Sequence, residues 1–169
     1  ALLALWETEF KSNILQLKQE LEKTSNEPKK VKLIYKTIQD KYLKKYALKN
    51  NFTTLLKEGL YNCVSSTAIY ALTFEALEIP YAIKETPNHV FLIAYPNTHQ
   101  IKVETTDPLQ GYNNFSDDFK KSFVLSLKQA KMISEDEYNH MTTAVLFDKY
   151  YFAEESISLT QLAGFQYLN

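Results

Sequence analysis

Apolar residues recur at spacings of three and four along the start of the chain: Leu2, Leu5, Trp6, Phe10, Ile14, Leu17 and Leu21. That period predicts an amphipathic helix over residues 2–24. The SNEP stretch ending at Pro28 interrupts it. A second helix is predicted over 31–47, with Ile34, Tyr35, Ile38, Tyr42 and Tyr46 inward and lysines outward. Residues 50–61 read as a less regular connection. The pattern then changes. Residues 63–77 carry a single charge, Glu75, so this helix is apolar nearly all round, as buried helices are. Pro80 ends it. Three strands are predicted next, over 81–85, 89–95 and 100–105. The middle one, HVFLIAY, is apolar after its first residue, which suits a central strand, and residues 96–99 turn the chain into the third. Helical signals return at Ser116, a cap for a helix running to about residue 132. Ser134 with Glu137, and Ser158 with Gln161, are capping boxes for two more. No internal repeat or low-complexity stretch is present.

Composition narrows the function classes. The chain has 169 residues, 45% of them hydrophobic, enough for one domain with or without a helical extension. Net charge is −1, and all 19 basic residues are lysine. Without arginine the usual bidentate reader of phosphates and guanine edges is missing, so nucleic acid is not an expected partner. No apolar run is long enough to span a bilayer. The opening ALLALWETEF carries Glu7 and Glu9 and no basic segment, so it reads as an amphipathic helix rather than a signal peptide. It opens without methionine and the chain closes on a helical pattern; we expect a piece of a longer protein, exported if a leader has been removed. Three glycines leave no phosphate-cradling loop. One cysteine and three scattered histidines give no metal-ligand spacing, and no cofactor is expected.

The single cysteine, Cys63, opens the apolar helix. Cysteine attacks as thiolate, and a helix N-terminus favours that form through its unpaired N–H groups. The alternative is a small buried hydrophobe. A nucleophile also needs a base and a group to orient it. His99 lies in a turn and His140 among polar neighbours, which suits solvated roles. His89 opens the central strand, where a polar ring is either a satisfied structural group or a base at a cleft edge. Register favours the second. Suppose strands 89–95 and 100–105 form an antiparallel hairpin with Tyr95 opposite Gln100. Phe91 then lies opposite Glu104, and His89 and Glu104 are diagonal neighbours on one face, about 7–8 Å apart at the backbone. Glu104 can then hold the imidazole. The same register sets Lys102, a charge, on the face of Ile93.

Cysteine at a helix start, histidine opening a strand and an acid on the next strand is an order that resembles the transglutaminase-like superfamily of papain-like cysteine enzymes. The resembling segment, NCVSSTAIYALTFEALEIPYAIKETPNHVFLIAYPNTHQIKVETTDP, is a little over a quarter of the chain. LEIP at residues 77–80 is similar to the family's L-G-I-P stretch that ends the core helix. HVF is similar to its strand-opening histidine, and ETT at 104–106 to its D-x-T motif. The resemblance implies an α+β fold: a buried helix with cysteine at its N-terminus, packed on a small antiparallel sheet and flanked by N- and C-terminal helices. It implies Cys63 as nucleophile, His89 as base and Glu104 as orienting acid. The chain departs from the family at Tyr61 and Glu78, both glycine there, and at Glu104, an aspartate there. The match is closest to bacterial members whose core can be followed by tetratricopeptide-like helices. The closing SISLTQLAGFQYLN would suit the first helix of such an extension. The expected organisation is an N-terminal helical part over 1–60, the Cys-His-acid core over 61–115 and C-terminal helices over 116–169.

The expected activity is cysteine-dependent acyl transfer at an amide of a peptide or protein substrate, with water as the simpler acceptor. The oxyanion would be met by the Cys63 backbone N–H plus a second donor, either Asn62 or a backbone group of the 50–61 connection. Two other readings stand beside this one. The same fold can bind a peptide or protein partner with little or no chemistry, or the chain can be a helical scaffold in which Cys63, His89 and Glu104 align by chance.

Overall fold

The computed structural model describes residues 2–86, 89–109, 111–152 and 155–165. The first helix, α1, spans Leu2–Leu21 and buries Leu17 and Leu21. Its apolar stripe is narrower than the spacing predicts, since Leu5 is exposed. The side chain of Leu2 and residues 166–169 of the closing stretch lie outside the described residues. Helix α2, Glu27–Tyr42, starts inside the segment read as a breaker. Asn26 accepts from the Lys29 N–H, and Pro28 stands in the first turn, where its missing N–H costs nothing. This helix ends earlier than expected, because Lys45–Tyr46 form a short strand, β1, and Tyr46 faces solvent. The 50–61 connection holds a helix, α3 (Phe52–Glu58), capped by Asn51 and ended by Gly59 in the left-handed region. It also holds β2 (Leu60–Tyr61), which pairs in parallel with β1. Tyr61 is buried, edge-on to Tyr46.

Helix α4, Cys63–Ala76, is the buried helix the sequence predicts; Ile69, Tyr70, Ala71 and Phe74 are sealed in the core. It ends at Glu78, whose φ of 56° is a left-handed conformation usually given to glycine. The Ile79 N–H reaches back to the Phe74 carbonyl there, closing the helix end. The chain then forms β3 (Tyr81–Thr86), β4 (His89–Ala94), β5 (Ile101–Val103) and β6 (Tyr112–Asn113). Next come helices α5 (Asp117–Gln129), α6 (Glu135–His140) and α7 (Thr143–Tyr151), then strand β7 (Glu155–Ile157) and helix α8 (Leu159–Gly164). Ser116, Ser134 and Ser158 cap their helices as predicted, the last two as capping boxes. The fold is α+β, with a five-stranded antiparallel sheet in the order β6-β5-β4-β3-β7.

Strand β4 is central and is buried on both faces. Val90, Leu92 and Ala94 join Ile69, Tyr70 and Phe74 of α4 in the main core. Phe91 and Ile93 face the other way, into an aromatic layer with Phe147 of α7 and Phe152. Residues 155–165 belong to both sheet and core: β7 pairs with β3, and Leu162 of α8 is fully buried in the cluster around α4.

Candidate functional site

Three residues far apart in sequence meet at one end of the β4–β5 hairpin. Cys63 is the first residue of α4, set there by Asn62. The Asn62 side chain accepts the Ser65 N–H at 2.9 Å, and the Ser65 hydroxyl accepts the Asn62 N–H at 3.0 Å. Cys63 is partly buried rather than sealed in the core. His89 opens β4. Its partner register with β5 is Leu92 to Val103, Ile93 to Lys102 and Ala94 to Ile101, which places Tyr95 across from Gln100 and Phe91 across from Glu104. The bond from the Gln100 N–H to the Tyr95 carbonyl, 2.9 Å, closes that turn. The diagonal geometry read from the sequence is therefore the one present. His89 Nε2 and Glu104 Oε1 are 2.6 Å apart, with side chains 31% and 19% exposed.

The electrostatics follow from these contacts. The His89 pKa is raised to about 9. The largest cause is the hydrogen bond between the ring and the Cys63 sulfur, followed by the hydrogen bond to Glu104; burial opposes both, and the charge of Glu104 adds to them. With Nε2 engaged by Glu104, Nδ1 is the nitrogen left for the sulfur. Burial pushes the Glu104 carboxyl up, but it is outweighed. The hydrogen bond and charge of His89, the Thr106 hydroxyl and the Lys102 charge together hold it below its ordinary value. Imidazolium and carboxylate thus coexist at neutral pH, with sulfur on the far side of the ring.

Several supporting groups are not anticipated by the sequence reading. Thr106 Oγ1 donates to Glu104 Oε1 at 3.0 Å, giving the third residue of the ETT stretch a task. Between Glu104 and Thr106, the fully buried Thr105 turns the other way. Its hydroxyl lies 2.7 Å from Ser66 Oγ and 3.2 Å from Thr67 Oγ1, tying the acid's strand to the first turns of α4. Lys102, the apparent conflict in the register, lies with its ammonium 4.3 Å from the centre of the Phe91 ring and 3.9 Å from Glu104 Oε2. The Phe91 ring in turn lies nearly parallel to the His89 imidazole, centroids 6.4 Å apart.

One expectation needs correcting. Asn62 has no donor to give to an oxyanion. Its Nδ2 donates to the Leu48 and Asn50 carbonyls at 3.0 and 3.3 Å, and its backbone N–H is held by Ser65. The residue that caps the helix is used up by capping. The other two histidines lie elsewhere: His99 Nε2 pairs with Glu27 Oε2 at 2.9 Å in the β4–β5 turn, and His140 is exposed on α6 beside Asp136. Among the described residues no cluster of three or more metal-ligating side chains occurs, and no helix is long and apolar enough to cross a membrane. Compared with known proteins, the chain matches no family model, no curated protein and no solved structure.

Proposed function

We propose that this chain is a transglutaminase-like cysteine hydrolase that cleaves an amide of a peptide or protein through Cys63, His89 and Glu104. The observation that carries the reading is the single imidazole shared between a partly buried cysteine and a partly buried carboxylate. A protonated ring beside sulfur is the partner a thiolate needs. The sulfur attacks the amide carbonyl carbon, and the C=O electron pair moves onto oxygen. Collapse of that intermediate breaks the C–N bond as the imidazolium gives its proton to the leaving nitrogen. The neutral ring then takes a proton from water, whose oxygen attacks the thioester and frees the sulfur. Glu104 keeps the ring in one tautomer and one orientation through both halves. Acid–base help of this sort is typically worth about 10²–10⁴-fold.

The oxyanion sits best at the first turn of α4, where the Cys63 N–H precedes the donors already consumed by Asn62. One unpartnered donor adjoins this turn: the buried side-chain amide of Asn50, whose own carbonyl is bound by Asn62 and which has no hydrogen-bond partner among the described residues. The test is the rate of Cys63 alkylation by iodoacetamide at pH 7, in the native protein and in His89→Ala, alongside mass spectrometry for a thioester on Cys63 after incubation with a peptide mixture. Fast, His89-dependent alkylation and a trapped thioester are expected. A slow rate indifferent to His89 overturns the reading. Fast alkylation with no thioester points instead to a peptide-binding module that has lost turnover.

A further inference from the structure

Of the charged groups around the triad, Lys102 is the one whose position calls for an account. It projects, partly exposed, from the sheet face that carries buried Phe91 and Ile93 together with His89 and Glu104. Two contacts hold it. Its ammonium lies over the Phe91 ring, 4.3 Å from the centroid, and stands 3.9 Å from Glu104 Oε2. The Glu104 oxygens are therefore divided between partners: Oε1 accepts from His89 and Thr106, and Oε2 faces Lys102.

We propose that Lys102 is a positioning residue for the triad: it anchors the free oxygen of Glu104 and sets how strongly that carboxylate holds His89. The inference rests on the reading of Cys63, His89 and Glu104 as a reacting unit. Glutamate has one more rotatable bond than aspartate, so an acid of this length needs a second anchor to keep one oxygen on the ring. Thr106 and Lys102 supply anchors on the two oxygens. There is also a charge argument. Lys102 places a second cation beside the carboxylate that holds His89. Without it the unopposed carboxylate grips the imidazolium more tightly, and the ring becomes a poorer acid toward the leaving nitrogen. The other groups near the ring are the Cys63 sulfur on α4, which is its other partner, and Thr86 on β3, which does not titrate. Two residues before Thr86, β3 sets Lys84 opposite Phe91, with Asp148 of α7 at 3.7 Å from it, so that pair contributes little net charge.

The experiment follows the His89 ring resonances by NMR against pH, assigned by their loss in His89→Gln. In the native protein the ring titrates at about 9. Lys102→Met keeps an unbranched side chain and removes the charge; the His89 midpoint is expected to rise by about half a unit, the size of a partly exposed ion pair. Lys102→Arg restores the native midpoint. A midpoint unmoved in Lys102→Met, or moved equally in Lys102→Arg, overturns the proposal. The two proposals fail separately. Slow, His89-independent alkylation of Cys63 removes the enzyme but leaves the coupling of Lys102 to His89 measurable, while an unmoved midpoint beside fast alkylation removes only the role of Lys102. If Lys102→Met does not fold, Lys102→Gln gives the same readout without the charge.

Discussion

Two histidine–glutamate pairs stand at opposite ends of the β4–β5 hairpin, and they look alike in isolation. His89 and Glu104 are joined through Nε2 at 2.6 Å, and His99 and Glu27 through Nε2 at 2.9 Å. The difference lies in what surrounds each pair. At the His99 end both partners are about 40% exposed; the ring is edge-on to Tyr95, and its backbone carbonyl accepts from Lys120. At the His89 end the carboxylate is largely covered, its two oxygens are bracketed by Thr106 and Lys102, and the ring meets the sulfur of the chain's one cysteine. The lesson is that an ion pair does not make a site. A site needs a reactive atom, an orienting group and a second layer that removes the orienting group's freedom.

The contrast can be broken most directly at the rings. His89→Ala should slow Cys63 alkylation by about 10²-fold or more, whereas His99→Ala should leave it unchanged; equal effects would erase the distinction between the two ends. Next in size is the hydroxyl cluster behind the triad. Thr105→Val removes the hydroxyl shared by Ser66 and Thr67, which keep their backbone carbonyl partners, at a cost of up to about 1.5 kcal/mol. Thermal unfolding should show that loss as a drop of several degrees. A smaller effect comes from pH. The folded His89 pKa is about 9, above its ordinary 6.5, so the pair's stabilisation is complete below pH 6.5 and fades as pH rises through 9. We expect a loss of about 1 kcal/mol between those limits, allowing for solvent screening, seen as a falling Tm that His89→Gln abolishes. The smallest effect belongs to the far end: Glu27→Gln should change stability by less than about 1 kcal/mol and alkylation not at all.

The meeting of Cys63, His89 and Glu104 was legible because two strong patterns intersect there. An all-apolar helix begins at Cys63, and an apolar strand begins at His89; the hairpin register then follows from the turn between Tyr95 and Gln100. Less legible were elements too short to show a period. Strands β1, β2 and β6 have two residues each and β7 three, so their existence is decided by tertiary neighbours rather than by their own sequence. Helix α7 was missed because TAVLFDKYY is apolar around most of its circumference and so carries no stripe, even though Thr142 caps it. The break between the first two helices is present, but α2 starts four residues earlier than expected because Pro28 sits in its first turn rather than in the break. Lys102 appeared as an argument against the register, because a cation on an apolar face looks wrong until the ring beneath it and the carboxylate beside it are known.

The order in which the chain leaves a ribosome gives β7 and α8 an importance their size does not suggest. Cys63, His89 and Glu104 all precede residue 105 in the order of synthesis. Yet the strand that covers the flank of β3, and the leucine that fills the hollow beside α4, come from residues 157 and 162. Until those emerge, the scaffold under the sulfur has an open seam along one edge, and a nascent chain would hold its reactive group on an unfinished foundation.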